Sequence, residues 1–257
     1  MKIAALQMQA TPGNVAANLE RIEKAAREAA RDGADLLVAP ELATTGYGIG
    51  EAIRDLTEPA NGPTIGRLGA IAADAGVAIV AGFAEADGGS VWNSAAFVTP
   101  QGQTTVYRKS HLYGDYERNL FQPGSPRAVT FDHGGRKLGM LICYDVEFPE
   151  NVRKLAQAGC SLVLVPTALP AGDHAEFIAR RMIPVRAFEN QVFVAYVNHC
   201  GADDRFAYAG LSTIAAPDGS VLAAAEAEGE ALLLATIQPE DFTQSAAQNT
   251  YLRDLRI

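Results

Sequence analysis

A strand–helix–strand pattern that occurs twice is the feature that most limits how this chain can fold. The first copy begins with a short buried strand at Lys2–Gln7. It continues with apolar residues at intervals of three and four, which predict a helix capped by Asn14 and ended by Gly33. A second apolar strand at 36–39 follows and is closed by Pro40. Together these segments predict a β-α-β unit.

The second copy lies in the middle of the chain. A strand is predicted at 137–142, and Pro149 suits the first turn of the helix that follows. Gly159 ends that helix, and the strand 162–165 is again closed by a proline, Pro166. The two apolar strands with their prolines are alike in sequence. We interpret them as parts of two related β-α-β halves, a weak internal repeat.

Strands and helices alternate along the rest of the chain without a linker rich in Pro, Gly or Ser. This predicts a single α/β domain over 1–257, with 239–257 as a C-terminal tail. The stretch 109–126 is predicted to be irregular, which within a compact domain favours a functional role. The remaining predicted elements are helices at 63–75 and 173–189 and strands at 77–83, 91–98, 104–107, 192–197, 210–215 and 232–237.

Composition excludes several classes of partner. With 257 residues, 48% of them hydrophobic, the chain can bury a large core. Its net charge of −9 and the absence of a long Lys/Arg run argue against nucleic acid and anionic membranes as partners. No stretch approaches the roughly 18 apolar residues of a membrane span. The opening apolar run is too short for a signal peptide. We therefore expect a cytoplasmic protein.

The cysteines and histidines predict neither disulfides nor a metal site. Cys143, Cys160 and Cys200 are odd in number and lack CxxC spacing, which favours reduced thiols. Ligand spacing is also missing among the four histidines, which we expect in polar loops or on helix surfaces. They are His111, His133, His174 and His199.

Three residues stand where catalytic groups are common. Cys143 follows a predicted strand and precedes a helix. Open α/β folds bind ligands at the carboxyl ends of strands, and the N-terminus of a helix favours a thiolate. Glu41 follows Pro40 at another strand end, in an apolar setting suited to a general base. Lys109 closes a strand between aromatic residues. Each feature alone also fits a plain structural role: a small buried cysteine, a turn carboxylate or a surface lysine. Cys160 keeps that role because it begins an apolar strand.

Together the three segments resemble the nitrilase, or carbon–nitrogen hydrolase, superfamily. The resemblance spans residues 2 to about 237, and the order and spacing of its motifs match. The motifs are Ala39-Pro40-Glu41-Leu42 with Gly46-Tyr47, Tyr107-Arg108-Lys109-Ser110-His111-Leu112, and the stretch from Gly139 through Cys143-Tyr144-Asp145 to Glu150. Flanking matches are Trp92-Asn93-Ser94-Ala95, Phe121-Gln122-Pro123-Gly124 and Arg186-Ala187-Phe188-Glu189-Asn190.

The resemblance implies a four-layer α-β-β-α sandwich that forms a homodimer or a higher homo-oligomer through outer helices and the C-terminal tail. It implies Cys143 as nucleophile, Glu41 as general base and Lys109, with the Tyr144 backbone N–H, as oxyanion donors. Glu117 falls where a second glutamate is expected, holding Lys109 or the substrate in place. No metal or organic cofactor is implied.

The sequence Tyr144-Asp145 after the cysteine resembles the amidase branches of the superfamily. The expected substrate is therefore a small primary amide, with chiral or cyclic ones included. A nitrilase and an N-carbamoyl amine hydrolase with the same three residues remain alternatives. The expected pocket walls are Tyr47, Tyr113, Tyr144, Thr167 and Ala168.

Two readings from other classes stay open at the level of sequence. A Cys/His hydrolase would need an imidazole, such as His111 or His199, beside Cys143. A non-catalytic member of the superfamily that only binds partners would leave Cys143 unreactive.

Overall fold

The computed structural model describes residues 1–256 and contains two sheets flanked by helices. Its strands are β1 (Lys2–Gln7), β2 (Leu36–Val38), β3 (Ala78–Asp87), β4 (Ser90–Val98), β5 (Thr104–Arg108), β6 (Thr130–His133), β7 (Arg136–Met140), β8 (Leu162–Thr167), β9 (Phe193–Asn198), β10 (Thr213–Ala215), β11 (Val221–Ala224) and β12 (Ala231–Thr236). Its helices are α1 (Val15–Arg31), α2 (Pro63–Ala75), α3 (Gly114–Leu120), α4 (Pro149–Gln157), α5 (Ala175–Phe177), α6 (Ile183–Asn190), α7 (Thr243–Gln248) and α8 (Tyr251–Asp254). None of the helices in this part of the chain is long and apolar enough to cross a membrane.

The two sheets have the same topology, which confirms the internal repeat. The first sheet has the order β12-β1-β2-β3-β4-β5, and the second has the order β11-β10-β9-β8-β7-β6. In the first, β1, β2 and β3 are parallel and β4 and β5 continue antiparallel. In the second, β7, β8 and β9 are parallel, followed by antiparallel β10 and β11. Each sheet gains one further strand, β12 beside β1 and β6 beside β7.

Alternating side chains of the strands divide the core into layers. Ile3 and Ala5 of β1 point into a core shared with the second sheet, whereas Ala4 and Leu6 pack against the helix layer of α1 and α2. On the other side, α4 and α6 cover the second sheet. This arrangement confirms the α/β four-layer sandwich. The single-domain boundary at 1–257 stays a prediction.

Local sequence signals explain α1. The Asn14 side-chain oxygen accepts a hydrogen bond of 3.0 Å from the backbone N–H of Ala17, which caps the first turn. Leu19 and Ile22 lie on the buried face. Gly33, just after the helix, adopts φ +73°, a conformation that favours glycine.

Pro166 does not close its strand as predicted, because β8 continues through it to Thr167. The neighbouring β7 pairs only as far as Leu164, so Pro166 is paired on one side, with Val197 of β9. A strand with one free side tolerates a residue that has no N–H to donate.

Two further predictions were wrong in detail. The stretch 109–126 is not wholly irregular, because it contains α3. The predicted helix at 173–189 is interrupted by a wider π-helical turn at Ile178–Met182. In a continuous α-helix the ring of Pro184 would clash with the carbonyl of Arg180, four residues earlier, and the wider turn relieves that clash. The sequence reasoning also missed β6, β11, α7 and α8.

Candidate active site

Glu41 follows β2, and a close backbone contact fixes its turn. The N–H of Gly82 donates to the carbonyl of Pro40 at 3.0 Å. A Cβ added at Gly82 would lie 2.1 Å from the nitrogen of Leu42, so only glycine lets the two segments approach this closely. Leu42 itself has φ +48°, a left-handed conformation that is uncommon for a branched side chain. The Glu41 side chain is fully buried, which removes its possible role as a solvated turn residue.

Lys109 follows β5 and is also fully buried. Its backbone N–H donates to the carbonyl of Asn93 at 2.8 Å, and its carbonyl accepts from the N–H of Gly124 at 2.7 Å. Its ammonium donates to Glu41 Oε1 at 2.7 Å and to Glu117 Oε1 at 2.6 Å. The lysine therefore joins two carboxylates in the interior and is not a surface residue.

Glu117 is oriented by three donors. Besides Lys109, the hydroxyl of Tyr47 donates to its Oε1 at 2.8 Å. The backbone N–H of Tyr113 donates to its Oε2 at 2.7 Å. Since Glu117 belongs to α3, this short helix brings a second carboxylate to the lysine.

Cys143 lies after β7 at the start of a 3₁₀-helix, Cys143–Glu147. Its φ is +46°, so the nucleophile candidate occupies a strained backbone position of a kind that clusters at active sites. The N–H of Tyr144 belongs to the first turn of this helix, where no intrahelical acceptor is available. Within residues 1–256 it has no hydrogen-bond acceptor, so it is an available donor next to the thiol.

Asp145 connects the cysteine turn to the lysine segment. Its buried carboxylate accepts hydrogen bonds of 2.8 Å from the hydroxyls of Tyr107 and Ser110. It also accepts from the backbone N–H groups of His111 at 2.8 Å and Ile142 at 3.2 Å. The positions of Cys143 and Lys109 are thus coupled through one side chain. This role was missed, although the motif containing Asp145 was recognised.

Burial and the charges of the cluster shift the pKa values of its members. Burial disfavours the Lys109 cation, but Glu117 and Glu41 together raise its pKa well above the ordinary value. Burial and then Glu41 raise the pKa of the Cys143 thiol well above its usual range, although Lys109 opposes the shift. Burial also raises the pKa of Glu117, with Lys109 acting against it. These shifts favour the thiol form of Cys143 and outweigh the stabilisation of a thiolate that was expected from the helix ahead of it.

Glu41 has one engaged oxygen and one free oxygen. Its Oε1 accepts from Lys109 and, at 2.7 Å, from the amide nitrogen of Asn93. Its Oε2 is buried and has no hydrogen-bond partner within residues 1–256. A buried carboxylate oxygen without a donor is a suitable acceptor for a proton.

A cavity of about 330 Å³ opens onto Cys143. Its lining residues are Tyr113, Cys143, Tyr144, Glu147, Leu169, Pro170, His174, Phe177, Ile178 and Met182. Tyr113 and Tyr144 were predicted as pocket walls. The π-helical turn supplies Ile178 and Met182, and π turns are frequent at functional sites. The loop and turn residues from 169 to 182 carry no sequence signal that predicted this role.

The other predicted pocket residues, Tyr47, Thr167 and Ala168, are buried and do not line this cavity. Tyr47 contacts the cluster through Glu117. The hydroxyl of Thr167 donates to the carbonyl of Val165 at 2.9 Å. The backbone of Ala168 lowers the pKa of the Cys143 thiol, against the larger effects of burial and Glu41. Their contact with substrate stays a prediction.

No histidine of the described chain is hydrogen-bonded to Cys143, although His174 lines the same cavity. His199 is buried, contrary to prediction, and its ring nitrogens lie 2.7 Å from the carbonyl oxygen of Glu41 and 3.2 Å from that of Met8. His111 stacks on Phe148, and its Nδ1 faces Asp145 at 2.9 Å. No group of three or more His, Cys, Asp and Glu residues suited to hold a metal ion occurs in the described chain.

Comparison with known proteins identifies the family. A family model described as carbon-nitrogen hydrolase matches residues 2–247. The chain belongs to the carbon-nitrogen hydrolase family. It is 45% identical over 261 residues to a Pseudomonas protegens protein named "Hydrolase in pqqF 5′region", covering all of this chain and 89% of that protein. It is 37% identical over 260 residues to an (R)-stereoselective amidase of a Pseudomonas species, covering all of this chain and 92% of that enzyme.

A solved structure of similar fold is an amidase from a Nesterenkonia species. The TM-score is 0.89 and the identity 35%, with all of this chain and 93% of that chain covered. A further structure of that amidase, a variant, shows covalent addition of the acetamide moiety of fluoroacetamide at its active-site cysteine. The relatives support the nitrilase-superfamily assignment made from the sequence motifs.

The charges around Cys143 predict the pH dependence of its ionisation. Since burial and Glu41 raise the thiol pKa, thiolate absorbance of the protein should appear only above the ordinary pKa of 9.0. Glu41→Gln removes a negative charge and keeps Lys109, so the midpoint should move to lower pH. The measurement is an ultraviolet pH titration of each protein, with the same titration of its Cys143→Ser counterpart subtracted. A midpoint below pH 9 in the unchanged protein, or no shift in Glu41→Gln, would contradict this charge balance.

Proposed function

We propose that this carbon–nitrogen hydrolase cleaves small primary amides to a carboxylic acid and ammonia through a thioester on Cys143. The observation that carries the proposal is a buried thiol, whose pKa is raised by burial and by Glu41, together with a Glu41 carboxylate of which one oxygen has no partner within residues 1–256. The names of the two amidases similar to this chain support the choice of amide as substrate.

In the first half of the reaction, Glu41 accepts the thiol proton of Cys143 as the sulfur attacks the amide carbon. The oxyanion that forms is stabilised by the Lys109 ammonium and the N–H of Tyr144. When the carbon–nitrogen bond breaks, Glu41 gives its proton to the departing ammonia. The product on the enzyme is a thioester.

In the second half, Glu41 takes a proton from water, which attacks the thioester carbon. The carbon–sulfur bond breaks, the acid leaves, and the thiolate regains the proton from Glu41. Glu117 exchanges no proton in this scheme, because all the contacts of its carboxylate serve to hold Lys109, Tyr47 and Tyr113.

The role of Cys143 is tested by its replacement. Cys143→Ala should abolish ammonia release from primary amides, because no other described thiol lines the cavity. Cys160→Ala is the matched control, since Cys160 is similarly buried and pairs with nothing. Ammonia release is measured with a panel of amides, nitriles and carbamoyl amines. Full activity of Cys143→Ala would overturn the proposal, and turnover of nitriles without the corresponding amides would make the enzyme a nitrilase.

The different roles proposed for Glu41, which exchanges protons, and Glu117, which does not, are a separate prediction. Glu41→Gln retains size and hydrogen bonding but cannot hold a proton, so kcat should fall by about 10²-fold or more. Intact-mass spectrometry with a slow amide should detect a thioester in the unchanged protein and none in Glu41→Gln. Glu117→Gln still accepts from Lys109 and should form the thioester. The reverse pattern would exchange the proposed roles.

We also propose that the protein forms a homodimer through its outer helices and C-terminal tail. Val185 of α6 is 50% exposed, and Tyr251 and Leu255 of the tail are exposed as well. Phe188 of α6 contacts Tyr251, with ring centroids 5.8 Å apart, so these apolar groups lie on adjoining elements. Val185→Glu should shift the mass measured by light scattering from dimer toward monomer, while Gln103→Glu, which adds the same charge in the exposed loop between β4 and β5, should not. A monomeric unchanged protein would refute the proposal.

We also propose a cytoplasmic location. Cys143, Cys160 and Cys200 are all free and buried, which suits a compartment that keeps thiols reduced. Cell fractionation with an antibody against the protein is the direct measurement.

A further inference from the structure

Glu147 lies in the cavity of Cys143, although the proposed reaction gives it no role. It is the last residue of the 3₁₀-helix that begins at the cysteine. The Arg186 guanidinium fixes its backbone, donating to the carbonyl of Glu147 at 2.7 Å and to that of Val146 at 2.9 Å. The position of the carboxylate is thus set by the same short element that sets the nucleophile.

Besides Glu147, the one described side chain lining this cavity that can carry a charge near neutral pH is His174. Glu147 is the one Asp or Glu among its lining residues, and no Lys or Arg of the described chain is among them. Most of the wall is apolar, formed by Leu169, Phe177, Ile178 and others. A carboxylate in such a wall determines the sign of the electrostatic potential that a substituent meets.

The Glu147 carboxylate also lacks a hydrogen-bond partner among residues 1–256, since only its backbone carbonyl is bonded. Burial raises its pKa, while Lys109 and Arg186 act in the opposite direction. Both cations are already engaged: Lys109 with Glu41 and Glu117, and Arg186 with Glu189 at 3.0 Å. Neither oxygen of Glu147 is among the buried, unpartnered atoms of the described chain, so the carboxylate is open to the cavity, where a cationic group of a substrate could pair with it.

We infer that Glu147 is a specificity-determining residue that favours primary amides carrying an ammonium group and disfavours amides carrying a carboxylate. The inference rests on the proposed amidase function and names its substrate class. The amide carbon is attacked by Cys143, and the substituent extends along the apolar wall with its cation toward Glu147. An anionic substituent would meet a like charge in a partly desolvated site, and such juxtapositions provide selectivity by repulsion.

The test compares three amides of equal chain length in the unchanged protein. They are γ-aminobutyramide, which is cationic, valeramide, which is neutral, and the monoamide of glutaric acid, which is anionic. We expect kcat/KM to fall in that order, by about tenfold at each step. The series one methylene longer, with δ-aminovaleramide, hexanamide and the monoamide of adipic acid, covers the case of a longer reach to Glu147.

Glu147→Gln keeps the shape of the side chain and removes its charge. The preference for the cationic over the neutral amide, taken as the ratio of their kcat/KM values, should shrink to less than about twofold. Glu150→Gln is the matched control, because it removes the same charge from the exposed start of α4, outside the cavity. It should retain the full preference.

Binding of the same amides to Cys143→Ala, followed by calorimetry, separates this inference from the proposed function. Tighter binding of the cationic amides without any turnover in the unchanged protein would refute the amidase proposal. The inferred preference of the cavity for a cation would still hold. If valeramide is turned over and the cationic, neutral and anionic amides have equal kcat/KM values at both chain lengths, the inference about Glu147 is refuted and the amidase proposal is not. A cationic preference that persists in Glu147→Gln would likewise refute the inference alone.

Discussion

The buried ammonium of Lys109 is the interaction on which the candidate site depends. It joins the carboxylates of Glu41 and Glu117, which come from the end of β2 and from α3, to a segment that follows β5. Buried charges are tolerated only when they are paired, and removal of one partner costs about 3–5 kcal/mol because the other is left uncompensated. The cluster therefore selects one arrangement of three separate segments.

This cluster also explains why a buried cysteine needs a base. Two carboxylates face one ammonium, so the local charge is negative and opposes ionisation of the nearby thiol. Lys109 cannot serve as the acid, because its carboxylate partners raise its pKa far above neutrality. Within the described cluster, the free oxygen of Glu41 is the acceptor that remains. The electrostatics that raise the thiol pKa of Cys143 thus support the proposal that Glu41 is its base.

Sequence reasoning found the elements and residues that depend on local signals. The apolar runs and the prolines located the strands that precede Glu41 and Cys143, and the motif resemblance grouped these residues with Lys109 and Glu117. It could not find features set by contacts between distant segments. The link from Asp145 to Tyr107 and Ser110, the burial of His199 and the walls contributed by Ile178 and Met182 all depend on how the layers pack. The prediction that Pro166 ends its strand was wrong for the same reason. A strand tolerates a proline where a neighbouring strand has already ended, and the sequence does not show where that happens.

The two halves of the internal repeat contribute different residues to the site at corresponding positions. Leu36-Leu37-Val38-Ala39-Pro40 and Leu162-Val163-Leu164-Val165-Pro166 occupy corresponding strands of the two sheets, and the residues that follow them are Glu41 and Thr167. Both are fully buried. In the first sheet this position carries the proposed base, and in the second it is followed by Ala168, whose backbone lowers the pKa of the Cys143 thiol. A charge costs far more to bury than a hydrogen-bonded hydroxyl, and the carboxylate is found at the strand end where Lys109 pairs with it. The repeat supplies two equivalent strand ends, and the buried lysine determines which of them can carry the proposed base.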